Sequence, residues 1–219
     1  MTVTTPLPSG FKNKSDLHMA RKIWHMFGVF AIFIGWILLP YPIAILALGV
    51  VWALFVMGDI IRQKSADLNE KFMRLFGPIM RSYEVNRLAG TTYLLSGVLL
   101  IALLFNSGVV SLSLLFLAFA DPIASFVGIK WGKDKIFGHK SVQGFMAAFF
   151  VCTIATYAFL SYKNIYQNAL VASLLAGLIG AMAELIPVGK VDDNFTMPVL
   201  SAIGLTILFY FFGFFSYFN

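Results

Sequence analysis

The sequence predicts an all-α, polytopic integral membrane protein, and three observations support that prediction. Of the 219 residues, 59% are hydrophobic and only 12% are charged, whereas soluble domains carry roughly 25% charged residues. The mean hydropathy is +0.84, and the apolar residues form continuous runs close to the ~20 residues that a helix needs to cross a bilayer. A membrane β-barrel would instead show segments of about ten residues with alternating polarity.

Seven apolar segments, each about 18 to 24 residues long, are predicted to be membrane-spanning helices. Their predicted bounds are 23–40, 42–61, 88–105, 109–129, 143–162, 167–187 and 195–218. Residues 1–20 precede them as a polar segment rich in Pro, Ser, Thr and Lys, which we expect to be a mobile tail. Residues 21–219 are then predicted to form one transmembrane domain.

Segment 65–82 has a different pattern, in which apolar and basic residues are mixed at helical spacing. Apolar side chains recur every three or four positions with basic ones between them: Leu68, Phe72, Leu75, Phe76 and Ile79, with Lys71, Arg74 and Arg81. This pattern predicts an amphipathic helix that lies on the membrane surface.

The charged residues predict the orientation of the chain. All sixteen Lys and Arg residues except Lys163 fall in or beside the tail and in alternate connections, and the ten Asp and Glu residues fall on the same half. By the positive-inside rule the N-terminus is cytoplasmic and the C-terminus external. A transporter would more often place ionisable groups at the midplane or on both sides, and a scaffold would leave the clustered carboxylates unexplained. The one-sided charge therefore favours a membrane enzyme that uses a charged cytoplasmic substrate.

The net charge of +6 would suggest a nucleic-acid partner for a soluble protein. Here the basic residues occupy short loops between apolar runs, so topology and anionic lipid headgroups explain them better, and we expect no nucleic-acid partner. The single cysteine, Cys152, lies inside an apolar run and is predicted to be a small core side chain.

Asp121, inside the fourth predicted span, is the first candidate for chemistry. A carboxylate within a bilayer is costly and so marks a functional site, with a structural ion pair as the alternative. Pro122 should kink or open the helix at this point. Ser125, Gly128 and Gly132 share the helical face of Asp121, and this face of small residues allows either a ligand or a tightly packed helix to come close.

The basic loop that follows is a candidate phosphate site. Ser141 and Gly144 open the next helix, whose N-terminus could bind phosphate oxygens together with neighbouring lysines. Ordinary positive-inside charge is the alternative explanation for the basic residues, which are Lys133, Lys135, His139 and Lys140. The letters GHKS invite comparison with a P-loop, but the glycine spacing is wrong and apolar helices flank the segment, so a P-loop is excluded.

Basic residues also lie at the predicted cytoplasmic mouth of the first span, where Arg21, Lys22 and His25 are found. His25 is one helical turn from Arg21, so both can face one pocket. Alternatively, His25 only satisfies a backbone carbonyl.

Two further pairs, Asp59 with Arg62 and Glu84 with Arg87, have partners three residues apart at the inner ends of their spans. Each pair could contribute to the pocket or form a plain structural ion pair.

Late in the chain, Glu184 lies near the inner end of the sixth span, and Asp192, Asp193 and Asn194 lie just before the last one. Because Mg²⁺ needs only one or two protein carboxylates when phosphate oxygens and water complete its shell, Asp121 with Asp193 would be sufficient. Asp192 is a further candidate ligand, with a solvated loop as the alternative.

Taken together, these motifs resemble the CTP-dependent lipid kinases: dolichol kinase, phytol kinase and the yeast-type diacylglycerol kinase. The resemblance rests on four short motifs in the same order along nearly the whole chain from Arg21. They are R-K-x-x-H from Arg21 to His25, Asp121-Pro-x-Ala with Gly128 and Gly132, Lys140-Ser141-x-x-Gly144, and Glu184 with Asp192-Asp193-Asn194 and Pro198. The family also resembles the phosphatidate cytidylyltransferases in its nucleotide-binding region.

The resemblance implies phosphoryl transfer from CTP to the hydroxyl of a membrane lipid alcohol at the cytoplasmic face, by residues 21–219 as one catalytic domain. It implies Mg²⁺ held by Asp121 and Asp193 and phosphate bound by Lys140 and Ser141. His25, Glu184 or Asp121 would accept the hydroxyl proton, and these three stay open. The acceptor could be a polyprenol such as dolichol, phytol or diacylglycerol, and the alternative reaction is cytidylyl transfer to phosphatidate or a prenyl phosphate.

Overall fold

Apolar helices make up most of the protein, and the computed structural model describes residues 19–138, 140–189 and 191–218. Phe116–Ala120 is wound as a π-helix that continues the α-helices on either side, so Ser107–Lys130 forms one continuous helix. The predicted tail, except Met19 and Ala20, lies outside the described residues, as does His139. The α-helices of the described part are α1 (Met19–Leu38), α2 (Tyr41–Lys64), α3 (Ala66–Phe76), α4 (Gly90–Leu104), α5 (Ser107–Leu115), α6 (Asp121–Lys130), α7 (Val142–Tyr162), α8 (Ala169–Leu185) and α9 (Asp193–Phe212).

Within the described residues, five helices are long and apolar enough to cross a membrane, namely α1, α2, the continuous 107–130 helix, α7 and α9. Helices α4 and α8 are also apolar, but have 15 and 17 residues. The outer faces of α1 and α2 expose large apolar side chains, such as Phe27 at 72% and Leu46 at 68%, as helices that face lipid do. The all-α membrane fold is therefore confirmed, whereas seven spans and their orientation stay predictions.

Hydrogen bonds between helices that are distant in sequence hold helix ends together at both ends of the bundle. At one end of the bundle, the Asn194 amide at the start of α9 donates to the carbonyl of Gly90 at the start of α4 (3.3 Å). At the opposite end, the Trp36 indole of α1 donates to the carbonyl of Ser107 (3.3 Å), and the Ser107 hydroxyl donates to the carbonyl of Phe218 (3.3 Å). The helix ends that the sequence groups on one side thus meet in space.

Small residues allow the central helices to approach closely. At Gly180 of α8, an added Cβ would come within 2.5 Å of the Cys152 sulfur and 2.8 Å of the Phe116 ring. Cys152 itself is fully buried, which confirms its predicted place in the core. Close approach through small residues is a common way for helices to pack within a membrane, where the hydrophobic effect does not drive association.

An ion pair between Asp59 and Arg62 closes the connection from α2 to α4, and both side chains are buried. The second oxygen of Asp59 accepts from the backbone N–H of Ala89 (2.8 Å). The pair is therefore structural, which was one of its two predicted alternatives. All five guanidinium N–H groups of Arg62 donate, to Asp59 Oδ1 (2.6 Å), Asn69 Oδ1 (2.9 Å) and the carbonyls of Val85 (3.2 Å), Glu84 (3.0 Å) and Arg87 (2.6 Å).

The predicted surface helix over 65–82 is shorter in the structure. Ser65 caps α3, with its hydroxyl accepting from the N–H of Leu68 (3.4 Å). The helix ends at Phe76, and a 3₁₀ turn follows over Gly77–Ile79, because Pro78 has no N–H to continue the α-helical pattern. Arg81 therefore lies beyond the helix, beside the cavity described below.

The basic loop after α6 contains a short antiparallel hairpin that the sequence did not predict, formed by β1 (Lys135–Phe137) and β2 (Lys140–Ser141). Gly138 at its turn has φ +52°, a left-handed conformation that glycine adopts without steric cost. The Ser141 hydroxyl then accepts from the N–H of Gly144 (3.2 Å) and caps α7, which confirms the predicted helix start.

Candidate active site

A cavity of about 610 Å³ opens among helix ends at one end of the bundle. Its walls come from the start of α1, the start of α4, α6, the hairpin with the start of α7, and the segment from Glu184 to Thr196. Segments that are distant in sequence thus bring acidic, basic and hydroxyl side chains to one space. A membrane protein tolerates such groups only where they are paired or line a polar cavity.

The π-helical turn explains the position of His25. The N–H of Asp121 reaches back to the carbonyl of Phe116, and Pro122 has no N–H to offer the next carbonyl, that of Leu117. His25 Nε2 lies 2.7 Å from this Leu117 oxygen, and because a carbonyl only accepts, that nitrogen carries the hydrogen. The same nitrogen lies 3.7 Å from Asp121 Oδ2. His25 thus satisfies a backbone carbonyl, as one alternative predicted, and is held beside Asp121.

Lys22 and Ser125 join α1 to α6, since the Lys22 ammonium donates to the Ser125 hydroxyl at 2.6 Å. Both residues line the cavity. This contact places a positive charge on the same helical face as Asp121, one turn further along α6.

The small-residue face of α6 packs against the start of α7. A Cβ at Gly144 would come within 2.8 Å of the Ala124 carbonyl, and one at Gly128 would lie 3.0 Å from the Ser141 hydroxyl. A Cβ at Gly132 would lie 2.5 Å from the same hydroxyl. These glycines therefore serve tight helix packing, which was one of their predicted alternatives, while Gly128, Ser141 and Gly144 also line the cavity.

A buried ion pair crosses the cavity wall between Lys140 and Glu184. The Glu184 side chain is only 2% exposed, whereas that of Lys140 is 27% exposed. Burial by itself lowers the pKa of Lys140, but the negative charges of Glu184, Asp193 and Asp121 outweigh it and leave that pKa raised. Lys140 therefore stays protonated and faces several carboxylates at once.

Two adjacent carboxylates, Asp192 and Asp193, begin α9. Asp192 caps the helix by accepting from the N–H of Asn194 (3.1 Å), and it also shares a hydrogen bond with Asp193. Burial, followed by the negative charge of Asp193, raises the pKa of Asp192 to about 6, against the opposing charge of Arg81. Two carboxylates forced together in this way form a donor set that suits a hard cation.

Among the described residues, no group of three or more His, Cys, Asp or Glu side chains could hold a metal by protein ligands alone. A site completed by substrate phosphates needs only one or two carboxylates, and Asp121, Asp192 and Asp193 all line the cavity. The residues present therefore fit Mg²⁺ brought in with a nucleotide.

The cavity wall next to α4 is organised around Gly90. The Arg21 guanidinium binds both oxygens of the buried Glu84 (2.9 and 3.0 Å) and the carbonyl of Ile79 (2.9 Å). The N–H of Gly90 donates to Glu84 (3.1 Å), and Asn194 donates to the Gly90 carbonyl. Glu84 is thus paired with Arg21 across the bundle.

We expect Gly90→Ala to lower both thermal stability and activity. An added Cβ would overlap the Arg21 guanidinium and come within 2.8 Å of the Asn194 amide, so the α1, α4 and α9 contacts must separate. The matched control is Gly49→Ala in α2, where an added Cβ meets nothing within 4 Å. Equal melting temperatures and equal turnover for the two variants would contradict this role of Gly90.

The cavity brings together most of the residues predicted for the site. Gly132 and Lys133, among the described residues, are outside its lining. Sequence reasoning missed Arg81 and Tyr93 as lining residues. Arg87 lines the cavity, as one of the two alternatives for the Glu84–Arg87 pair predicted, while Glu84 is paired with Arg21. The predicted residues that line the cavity are Arg21, Lys22, His25, Asp121, Ser125, Gly128, Lys140, Ser141, Gly144, Glu184, Asp192, Asp193 and Asn194.

The fold and the cavity define a class of protein, a helical membrane protein with a polar, charge-lined site at one end of its bundle. The chain is 33% identical over 162 residues to "CTP-dependent diacylglycerol kinase 1" of Schizosaccharomyces pombe, covering 69% of this chain and 74% of that protein. It is 30% identical over 172 residues to the protein of the same name in Saccharomyces cerevisiae, covering 68% of this chain and 58% of that protein. The chain belongs to the CTP-dependent lipid kinase family.

An uncharacterised protein of Rickettsia prowazekii is 27% identical over 203 residues, which cover 89% of this chain and 96% of that protein. The chain thus spans between about half and three quarters of the length of the yeast relatives but nearly all of the bacterial one. No family model matches the chain, and no solved structure is significantly similar to it.

Proposed function

We propose that this protein transfers the γ-phosphate of CTP to the hydroxyl of a membrane lipid alcohol at the cytoplasmic face. The observation that carries the proposal is the convergence of Asp121, Asp193, Lys22 and Lys140 on one cavity at a helix-bundle end. Phosphoryl transfer asks little covalent chemistry of a protein, because positioning and charge neutralisation supply most of the acceleration. A cavity that carries both signs of charge beside lipid-facing helices is suited to that task.

The phosphates are proposed to lie in the cavity, beside α6 and the start of α7. Lys140 and Lys22 supply positive charge there, and the N-terminus of α7 offers backbone N–H groups, with Ser141 at its cap. Glu184 is proposed to hold Lys140 in position through their buried ion pair. The lysines thus approach the phosphates from two sides of the cavity.

Mg²⁺ is proposed to be held by Asp121 and Asp193, with Asp192 beside them. The cation would neutralise charge on the β- and γ-phosphate oxygens when bound with the nucleotide. Support comes from the donor set, since burial and the neighbouring charge of Asp193 raise the pKa of Asp192, and a bound cation would offset the repulsion between the two carboxylates.

Of the three candidate proton acceptors, Asp121 is the one we propose. The Nε2 of His25, the ring nitrogen beside Asp121, donates its hydrogen to the Leu117 carbonyl, so that only Nδ1 is left to accept a proton. Glu184 is bound by Lys140. Asp121 lies on the same cavity wall, with Lys22 and His25 as its basic neighbours.

Diacylglycerol is the first acceptor to test, because the yeast relatives carry that lipid in their names. Polyprenols and phytol are the alternatives. The experiment is incubation of purified protein with γ-labelled CTP or ATP, Mg²⁺ and each lipid in turn, followed by separation of lipid and nucleotide products. We expect labelled lipid and CDP from CTP. Pyrophosphate with cytidylylated lipid would instead indicate cytidylyl transfer and would refute the proposal.

Lys140→Met is expected to raise the KM for CTP by about tenfold, which corresponds to the loss of one charge-assisted phosphate contact. Lys133→Met is the matched control, because Lys133 is exposed and outside the cavity lining. Since Lys140→Met leaves Glu184 buried without its cation, the double variant Lys140→Met with Glu184→Gln should recover stability but not the KM. A KM for CTP that is unchanged in the folded double variant would remove Lys140 from the phosphate site.

A further inference from the structure

Helices α1 and α2 are joined by a short turn at Leu39 and Pro40, yet a groove separates them. This groove contains an apolar cavity of about 150 Å³ whose floor is provided by α4. The cavity lies within two helices that are long and apolar enough to cross a membrane. Its lining includes Ile32, Trp36, Ala44, Leu48, Val51 and Leu95.

Glycines keep this groove open. Gly35 lines the apolar cavity, and Gly28 lies seven residues before it on the same face of α1. On α2, Gly58 lies seven residues after Val51 of the cavity, and seven residues bring a helix back to within about 20° of the starting direction. An added Cβ at any of these three glycines would meet nothing within 4 Å. No close contact within the described chain requires glycine at these positions, and a larger side chain there would fill the groove.

The groove continues from the polar cavity along α1. Arg21 and His25 line the polar cavity, and Ile32 and Trp36 on the same helical face line the apolar one. From residue 25 to residue 36 the helix axis advances about 17 Å, which is roughly half of the hydrocarbon thickness of a bilayer. One path thus leads from charged groups into apolar surroundings.

We infer that the groove between α1 and α2 binds a hydrocarbon chain of the lipid acceptor, whose hydroxyl lies in the polar cavity. This inference rests on the proposed function, since it assigns the acceptor of that reaction. A hydrocarbon chain fits because it needs no hydrogen bonds, and the apolar lining of the groove offers none. A headgroup held beside His25 and Asp121 would direct its chain along α1 toward Leu39.

The test compares diacylglycerols with long and short acyl chains in mixed micelles. Gly35→Leu combined with Gly58→Leu fills the groove, and we expect the ratio of kcat/KM for the long-chain over the short-chain acceptor to fall by about fivefold or more. Gly49→Leu is the matched control, because Gly49 also faces open space but lies nine residues from Gly58, about 180° around α2. An unchanged ratio of kcat/KM in the folded groove variant would overturn the inference. The same holds if the ratio is unchanged and the variant differs from the wild type only in its oligomeric state.

A second measurement does not depend on turnover. A diacylglycerol with a photoreactive group in its acyl chain is expected to label α1 and α2 peptides in the wild-type protein, and labelling should fall in the groove variant but not in Gly49→Leu. Labelling elsewhere would overturn the inference while leaving the proposed reaction intact. If wild-type protein transfers no phosphate to any lipid alcohol, the proposed function fails, whatever the labelling shows.

Discussion

Asp121→Asn is expected to lower CTP-dependent lipid phosphorylation by about a hundredfold to a thousandfold, a loss typical of removing one preorganised electrostatic group. The substitution keeps the size and shape of the side chain but removes the negative charge that the proposed Mg²⁺ and the acceptor hydroxyl both need. It also preserves the packing around Pro122 and the π-helical turn, so the fold should persist. The measurement is labelled lipid formed per minute by detergent-purified protein.

The matched control is Asp67→Asn on α3, where the side chain is 76% exposed and paired with Lys71 on the same surface helix. It should retain wild-type turnover. A melting temperature for Asp121→Asn close to that of the wild type would separate lost chemistry from lost folding. Retained turnover in folded Asp121→Asn would exclude Asp121 from the mechanism.

Arg62→Met is expected to cost about 3 to 5 kcal/mol of stability, because it leaves the buried Asp59 carboxylate without its cation. The guanidinium also donates to three backbone carbonyls and to the Asn69 amide oxygen, and these buried hydrogen bonds would be lost. These bonds hold the connection between α2 and α4, which leads to the contacts of Glu84 and Gly90 beside the cavity. We therefore expect the cavity wall to become less rigid when the bonds are lost. Thermal unfolding in detergent is the measurement.

Arg74→Met on α3 is the matched control for Arg62→Met. Arg74 is 78% exposed and pairs with the half-exposed Glu70, so its loss should change stability by no more than about 0.5 kcal/mol. Similar melting temperatures for the two variants would show that the buried network contributes no more than a surface pair, contrary to our expectation.

The helical membrane class and the approximate helix positions could be predicted from the sequence, because both follow from local properties. A run of about 20 apolar residues must satisfy its own backbone hydrogen bonds in lipid, and only a helix or a closed barrel does so. The bounds of α2 and α7 differ by only a few residues from the predicted 42–61 and 143–162. The surface helix was predicted too long, because the helical spacing of apolar residues continues past Gly77 and Pro78, where the α-helix ends.

The candidate site was predicted in part, because most of its charged residues are costly in a membrane and so stand out in the sequence. Asp121, His25 and Glu184 were all found in this way and line one cavity. Their partners could not be read from sequence spacing. Glu84 has Arg87 three residues away, yet its carboxylate binds Arg21, 63 residues distant.

The sequence by itself determined that this chain is a helical membrane protein, because composition and periodicity are local properties. Only the tertiary structure decided which charges are structural and which face the cavity. Asp59 forms an ion pair with Arg62, and Glu84 forms one with Arg21, whereas Asp121 and Asp193 line the same cavity. The physical reason is that a buried ion pair forms between whichever groups the packed helices bring within reach, and helix packing depends on contacts that no local pattern encodes.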